Sequence, residues 1–279
     1  MIKKILVALD PDSDSLTATQ HAVDIARRYQ ASVTGLAVVD MGSIAASSRG
    51  GGIGTMYFAD KLRARLTAEA RETAQTLIAA FDAIVKAAGI EFTELVQEGV
   101  PFRRIVEDMK YHDLLVVGKE PHFFYSHPKE ATQTLARVVK KTIGPTLIVA
   151  KKHVPIKKVL IAYDGSLAAA QSLRSFVTSK PFGKDLEVRL MQVYADNQQE
   201  AELELSLAAD FMRAHDVNPA VLALSGENPE AVISQQIEQF GADVVVAGAH
   251  SKSRIRAVAF GSTTAHLVEH CPVTLYLDH

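Results

Sequence analysis

The sequence predicts an α/β fold made of two tandem, doubly wound, five-stranded parallel sheets. Three observations carry this expectation. Near-continuous apolar runs alternate with amphipathic stretches, the pattern of strands covered on both faces by crossover helices. The chain also repeats its landmarks in order: residues 3–10 (Lys-Lys-Ile-Leu-Val-Ala-Leu-Asp) return at 157–164, 113–118 return at 243–248, and 144–149 return at 271–276. Finally, 279 residues accommodate two ordinary domains, here 1–152 and 153–279.

In the first copy, residues 2–9 read as a buried strand, and Ser13 or Ser15 can cap the helix that runs to about Tyr29. Residues 32–39 form a second strand. A long helix over 59–88 carries Leu62, Leu66, Ala70, Leu77, Phe81 and Ile84 near one face and stops at Gly89. A strand at 91–97, a helix at 102–110, a strand at 113–118, a helix at 131–143 and a strand at 146–150 complete it. The segment from Gly42 to Gly54, with Gly50-Gly51-Gly52, reads as a flexible loop, or alternatively as a lid or partner loop. The second copy has strands near 158–163, 186–193, 219–224, 243–248 and 273–277, with helices near 168–178, 198–214, 229–240 and 262–270. Ligands of such sheets lie beyond the carboxyl ends of the strands, where Asp10, Gly118, Asp164 and Gly248 fall.

Composition excludes several classes. Hydrophobic residues make up 48% and charged residues 22%, enough for a full core, and the net charge of −2 offers no general nucleic-acid surface. The lone cysteine, Cys271, gives neither a disulfide framework nor a thiolate metal site, and is expected as a small buried apolar residue. His112, His122 and His127 fit no compact zinc spacing. No apolar run reaches about 18 residues, so no membrane partner is expected. The start of the chain does not read as a signal peptide, and a cytoplasmic location is the default expectation.

The residues with the most chemistry lie near the C-terminus. After the apolar run 244–247 come Gly248-Ala249-His250-Ser251, nine further residues, and Gly261-Ser262-Thr263-Thr264, which opens a helix. Unsatisfied N–H groups and the positive dipole end at a helix start suit phosphate, and glycine lets an anion approach the main chain. This pattern resembles the ATP-binding members of the universal stress protein family, which carry Gly-x-x-Gly, nine residues and Gly-Ser/Thr. The resemblance covers nearly the whole chain. It implies strand order 3-2-1-4-5 in each half, a pseudo-twofold association of the halves through their fifth strands, and a stress-response protein that binds ATP, with or without Mg2+, as a regulatory ligand. A homodimer is compatible with it.

For the second copy the resemblance implies that Asp164 contacts the base or ribose, although Asp164 can equally cap the next helix. Ala162, Tyr163, Val193 and Ala247 match positions lining the base, and ordinary core is the alternative for each. Gly248 and Gly261 approach phosphate, or serve turn geometry alone. Ser262 and Thr263 or Thr264 can donate hydroxyls, with Ser262 competing as an N-cap. Ser251 replaces the family's second glycine; a positive φ there would cost roughly 1–3 kcal/mol, and weakened affinity is expected. Lys252, Arg254 and Arg256 can screen phosphate charge or form a solvated loop; His250 falls in the turn. The first copy has lost the signature: Pro121 and Ala131 stand where glycines belong, bulky His122, Phe123, Phe124 and Tyr125 intervene, and this half is expected to bind ATP poorly or not at all. The alternatives to a regulatory ATP binder are a slow ATPase and a nucleotide-independent interaction scaffold.

Overall fold

The computed structural model describes residues 1–11, 14–47, 56–119, 131–249 and 261–278. The strands of the first half are β1 (Lys4–Leu9), β2 (Ser32–Asp40), β3 (Phe92–Gly99), β4 (Leu114–Gly118) and β5 (Thr146–Val149). Those of the second are β6 (Lys158–Ala162), β7 (Glu187–Tyr194), β8 (Ala220–Ser225), β9 (Val244–Gly248) and β10 (Thr274–Asp278). The helices are α1 (Asp14–Tyr29), α2 (Met41–Ser47), α3 (Met56–Ala87), α4 (Pro101–Met109), α5 (Ala131–Lys141), α6 (Leu167–Ser179), α7 (Gln198–Ala214), α8 (Pro229–Phe240) and α9 (Ser262–His270).

Each half orders its strands 3-2-1-4-5, and the two arrays join into one ten-stranded sheet, β3-β2-β1-β4-β5-β10-β9-β6-β7-β8. The pairings within each half are parallel; the join, β5 to β10, is antiparallel, with Leu147 opposite Tyr276. That join removes two open strand edges, whose unpaired N–H and C=O groups would otherwise invite foreign strands.

Alternation along the strands explains the two cores. On β1, Ile5, Val7 and Leu9 face one side, with α1, α3, α6 and α7, while Leu6 and Ala8 face the other, with α4, α5, α8 and α9. Phe81 of α3 packs so tightly on β2 that a Cβ on Gly35 would stand 2.8 Å from its ring. The duplicated aspartates act alike in both halves. Asp113 Oδ2 accepts the N–H groups of Lys3 and Lys4 at 2.7 and 2.9 Å, and Asp243 Oδ2 accepts those of Lys157 and Lys158, both at 2.8 Å.

One expected loop begins as a helix. Met41–Ser47 is α2, where a flexible Gly/Ser/Ala segment was expected. Asp40 Oδ1 accepts the Gly42 N–H at 2.9 Å and Ile44 is buried, so a side-chain turn and one apolar anchor outweigh the composition. Residues 48–54 of that segment lie outside the described residues. Gly89 ends α3 with φ +67°, as its C-terminal position requires. Among the described residues, no helix is long and apolar enough to cross a membrane.

Candidate functional site

The site lies where the crossovers of the second half diverge. From β6 the chain leaves by α6 on one face of the sheet, while the chain entering β9 arrives by α8 on the other. Doubly wound sheets open a crevice between two such strands. Here a cavity of about 150 Å³ opens at the carboxyl ends of β6, β7 and β9. Its apolar floor and walls are Ala162, Met191, Val193, Ile233, Ala247 and Leu267, and its rim carries Tyr163, Asp164, Pro229, Gly248, Thr263 and Thr264.

The turn after β6 sets one side of the rim. Ser166 is the N-cap of α6, and its hydroxyl accepts the Ala169 N–H at 3.1 Å. Asp164 does not cap the helix itself: its Oδ1 accepts the Ser166 N–H at 3.0 Å, which orients the carboxylate two residues before the cap. Burial pushes the Tyr163 phenol above its usual range, and the charges of Glu204 and then Asp164 add to the shift.

The start of α9 sets the opposite side. Gly261 stands at the N-cap with φ −58° and ψ 159° and offers no side-chain cap. The first intrahelical bond runs from the Ala265 N–H to the Gly261 carbonyl at 2.8 Å, so the N–H groups of Ser262, Thr263 and Thr264 have no partner within the helix. Three main-chain donors at the positive end of a helix dipole therefore border an apolar cavity that has a carboxylate on its other side.

Two sequence expectations change in detail. Gly248 lacks positive φ; its missing side chain is demanded by α6, since a Cβ would stand 2.5 Å from the Ala169 nitrogen and 2.7 Å from the Ala168 carbonyl carbon. Its small size is first a packing requirement. Thr264, expected as one of two alternative phosphate donors, already donates its hydroxyl to the Gly248 carbonyl at 2.7 Å and is buried. That bond ties the two small-residue turns together and leaves Ser262 and Thr263 as the remaining candidates for a hydroxyl donor. His250, Ser251 and Arg254, with Lys252 and Arg256, lie outside the described residues.

Of the expected site residues, Ala162, Tyr163, Asp164, Val193, Ala247, Gly248, Thr263 and Thr264 line one cavity, with Gly261 and Ser262 beginning the helix beside it. Sequence reasoning missed Met191, Pro229, Ile233 and Leu267. Met191 was accessible through the period of two, since it shares a sheet face with Val193. Pro229 and Ile233, one helical turn apart, required knowing that α8 crosses the cavity side of the sheet. Glu204 of α7 is a second carboxylate near the site, close enough to act on Tyr163. Cys271 is buried, and burial pushes its thiol upward.

Fold and cavity together define a doubly wound α/β protein with a crevice at the switch point of its second half. The chain belongs to the universal stress protein family, whose sequence profile matches residues 1–150 and 175–277. A universal stress protein of Synechocystis sp. is 28% identical over 199 residues, spanning 71% of this chain and 69% of that protein. Among solved structures, a universal stress protein from Archaeoglobus fulgidus superposes with a TM-score of 0.69 at 19% identity, covering 99% of this chain and 95% of that one. A functionally unknown protein from Pseudomonas aeruginosa superposes with a TM-score of 0.60 at 14% identity, covering 99% and 92%. These two likenesses are likenesses of fold.

Proposed function

We propose that the second half binds ATP as a regulatory ligand of a cytoplasmic stress-response protein, and that the first half does not. The observation that carries the reading is the juxtaposition of an apolar cavity, a rim carboxylate at Asp164 and an uncapped helix start at Gly261. An adenine ring needs a flat apolar slot, and its ribose needs acceptors. A phosphate chain needs N–H donors and a positive dipole. At about 150 Å³ the cavity holds part of such a ligand, with the phosphates leaving toward α9. Ser262 and Thr263 join the main-chain donors there. In this reading bound ATP biases how the protein meets its partners, and Mg2+ accompanies the phosphates.

The test is calorimetric titration of ATP into the full chain and into Gly261→Val. At φ −58° and ψ 159° valine meets no left-handed backbone strain, so its side chain acts on phosphate approach. The expected result is measurable ATP binding by the parent and a loss of about 100-fold or more in the variant, the scale of two charge-assisted hydrogen bonds. Equal affinities would remove the α9 start from the site.

A further inference from the structure

We infer that Glu204 is a positioning residue for this nucleotide site, holding the Asp164–Gly165–Ser166 turn in place from the face of the sheet opposite the cavity. The inference rests on the nucleotide reading given above. Gly165 has φ +71°, and a Cβ on it would collide with both carboxylate oxygens of Glu204. The carboxylate therefore fills the space beside the turn, and only glycine satisfies both the backbone angle and that contact. Glu204 is itself fixed: its Oε2 accepts the side-chain N–H of the buried Gln192 at 2.6 Å. Gln192 lies on β7 between Met191 and Val193, which face the cavity, so its own side chain points the other way, toward α7.

The first half lacks the residues for such a contact. The register pairs Ala162 with Met191 and Ala8 with Leu36, so the counterpart of Gln192 is Ala37. In the repeat, the counterpart of Gly165 is Pro11. Neither can take part in such a clamp. A half-buried carboxylate carries a desolvation cost, and Glu204 stands where it steadies the rim aspartate without lining the cavity.

The experiment uses the full chain with two substitutions, Glu204→Ala and Glu204→Gln, and two readouts. The first is calorimetric ATP affinity, with thermal melting to confirm folding. Glu204→Ala is expected to weaken binding about tenfold and Glu204→Gln, which keeps the size and one acceptor, only about twofold. The second is the titration of the Tyr163 phenol by ring-carbon NMR, which needs no nucleotide. Removing the Glu204 charge should bring that titration down toward the ordinary tyrosine range. If the parent binds ATP and folded Glu204→Ala binds it equally well, the positioning role is overturned and the nucleotide reading stands. If binding weakens but the Tyr163 titration does not move, the loss is unrelated to the contact and the role is again overturned. If the parent itself fails to bind ATP, the nucleotide reading falls and takes the positioning role with it. The Tyr163 shift then still reports where Glu204 sits.

Discussion

Ala8, Leu9 and Asp10 end the first strand of one half as Ala162, Tyr163 and Asp164 end that of the other, yet the two ends differ. The first three are at most 3% exposed, whereas the second three are each partly open and line a cavity. The turns after them differ as well. In the first half the Ser15 hydroxyl accepts the Asp10 N–H and donates to the Asp10 carbonyl, both at 2.5 Å, folding the turn onto its own main chain. In the second half Ser166 caps α6 and leaves Asp164 at the rim. Duplication therefore supplied the same switch point twice, and the turns that follow it differ in their hydrogen bonding. The repeated aspartate alone does not make a site.

The largest effect that tests this contrast concerns Gly248. If its smallness serves packing against α6, Gly248→Val should cost about 3 kcal/mol of stability, because the clash is with main-chain atoms that cannot swing aside. The shift of the urea midpoint measures it. A variant that kept its stability and lost only ATP binding would show a glycine reserved for phosphate, and the packing explanation would fail.

The next effect lies at the join of the halves. His21 of α1 is buried, its ring centroid 4.6 Å from that of His153 in the connection to β6, and His153 Nε2 lies 2.8 Å from Asp24 Oδ2. Burial, with the like charge of His153 added, pushes His21 down to about 4 against a small opposing pull from Asp24. The unfolded chain takes up its proton near pH 6.5 and the folded chain only near 4. The associated stability is thus present above pH 6.5 and is lost as the pH falls through that window. Between pH 7 and 4.5 the loss is about 2 kcal/mol. His21→Phe should flatten the pH dependence of the melting temperature over this range. An unchanged slope would place the acid sensitivity elsewhere.

A smaller effect separates the two aspartates directly. Asp164→Ala should weaken ATP binding about tenfold, the scale of one hydrogen bond to a charged group, and Asp164→Asn, which keeps the acceptor for Ser166, should weaken it less. Asp10→Asn should leave ATP affinity unchanged, since Asp10 is buried. Titration calorimetry on the three variants decides the matter, and a binding loss confined to Asp10→Asn would reverse the assignment of the halves.

How much of this could be read in the sequence follows the reach of each signal. The repeat and most element ends were accessible because apolar periodicity and duplicated landmarks such as Asp113 and Asp243 are local patterns, whereas the strand order came only from the family resemblance. Helices α7, α8 and α9 begin and end at the residues expected, with Asn197 and Asn228 capping two of them. Helix α2 escaped because its composition reads as loop while its anchors, Asp40 and Ile44, act through turn geometry and burial. The cavity's Ile233 and Leu267 escaped because core and pocket walls share one apolar pattern. Glu204 escaped because its contact with Gly165 joins residues 39 positions apart across a crossover, a distance no periodicity spans.

The smallest effect concerns Thr264, and it tests whether the two small-residue turns form one unit. Its buried hydroxyl donates to the Gly248 carbonyl, the last main-chain acceptor of β9, and so fixes the first turn of α9 to the strand end. Thr264→Val keeps the shape and removes the donor, leaving a carbonyl short of its partner at a cost of about 1 kcal/mol. If the hydroxyl only ties the turns, stability should fall by that amount while ATP affinity shifts by about threefold or less, since Ser262, Thr263 and the main-chain N–H groups remain. If Thr264 instead met phosphate directly, affinity would fall about tenfold with stability preserved. Measured together, the melting temperature and the ATP affinity assign the hydroxyl to the fold or to the ligand, because one proton cannot serve the Gly248 carbonyl and a phosphate oxygen at once.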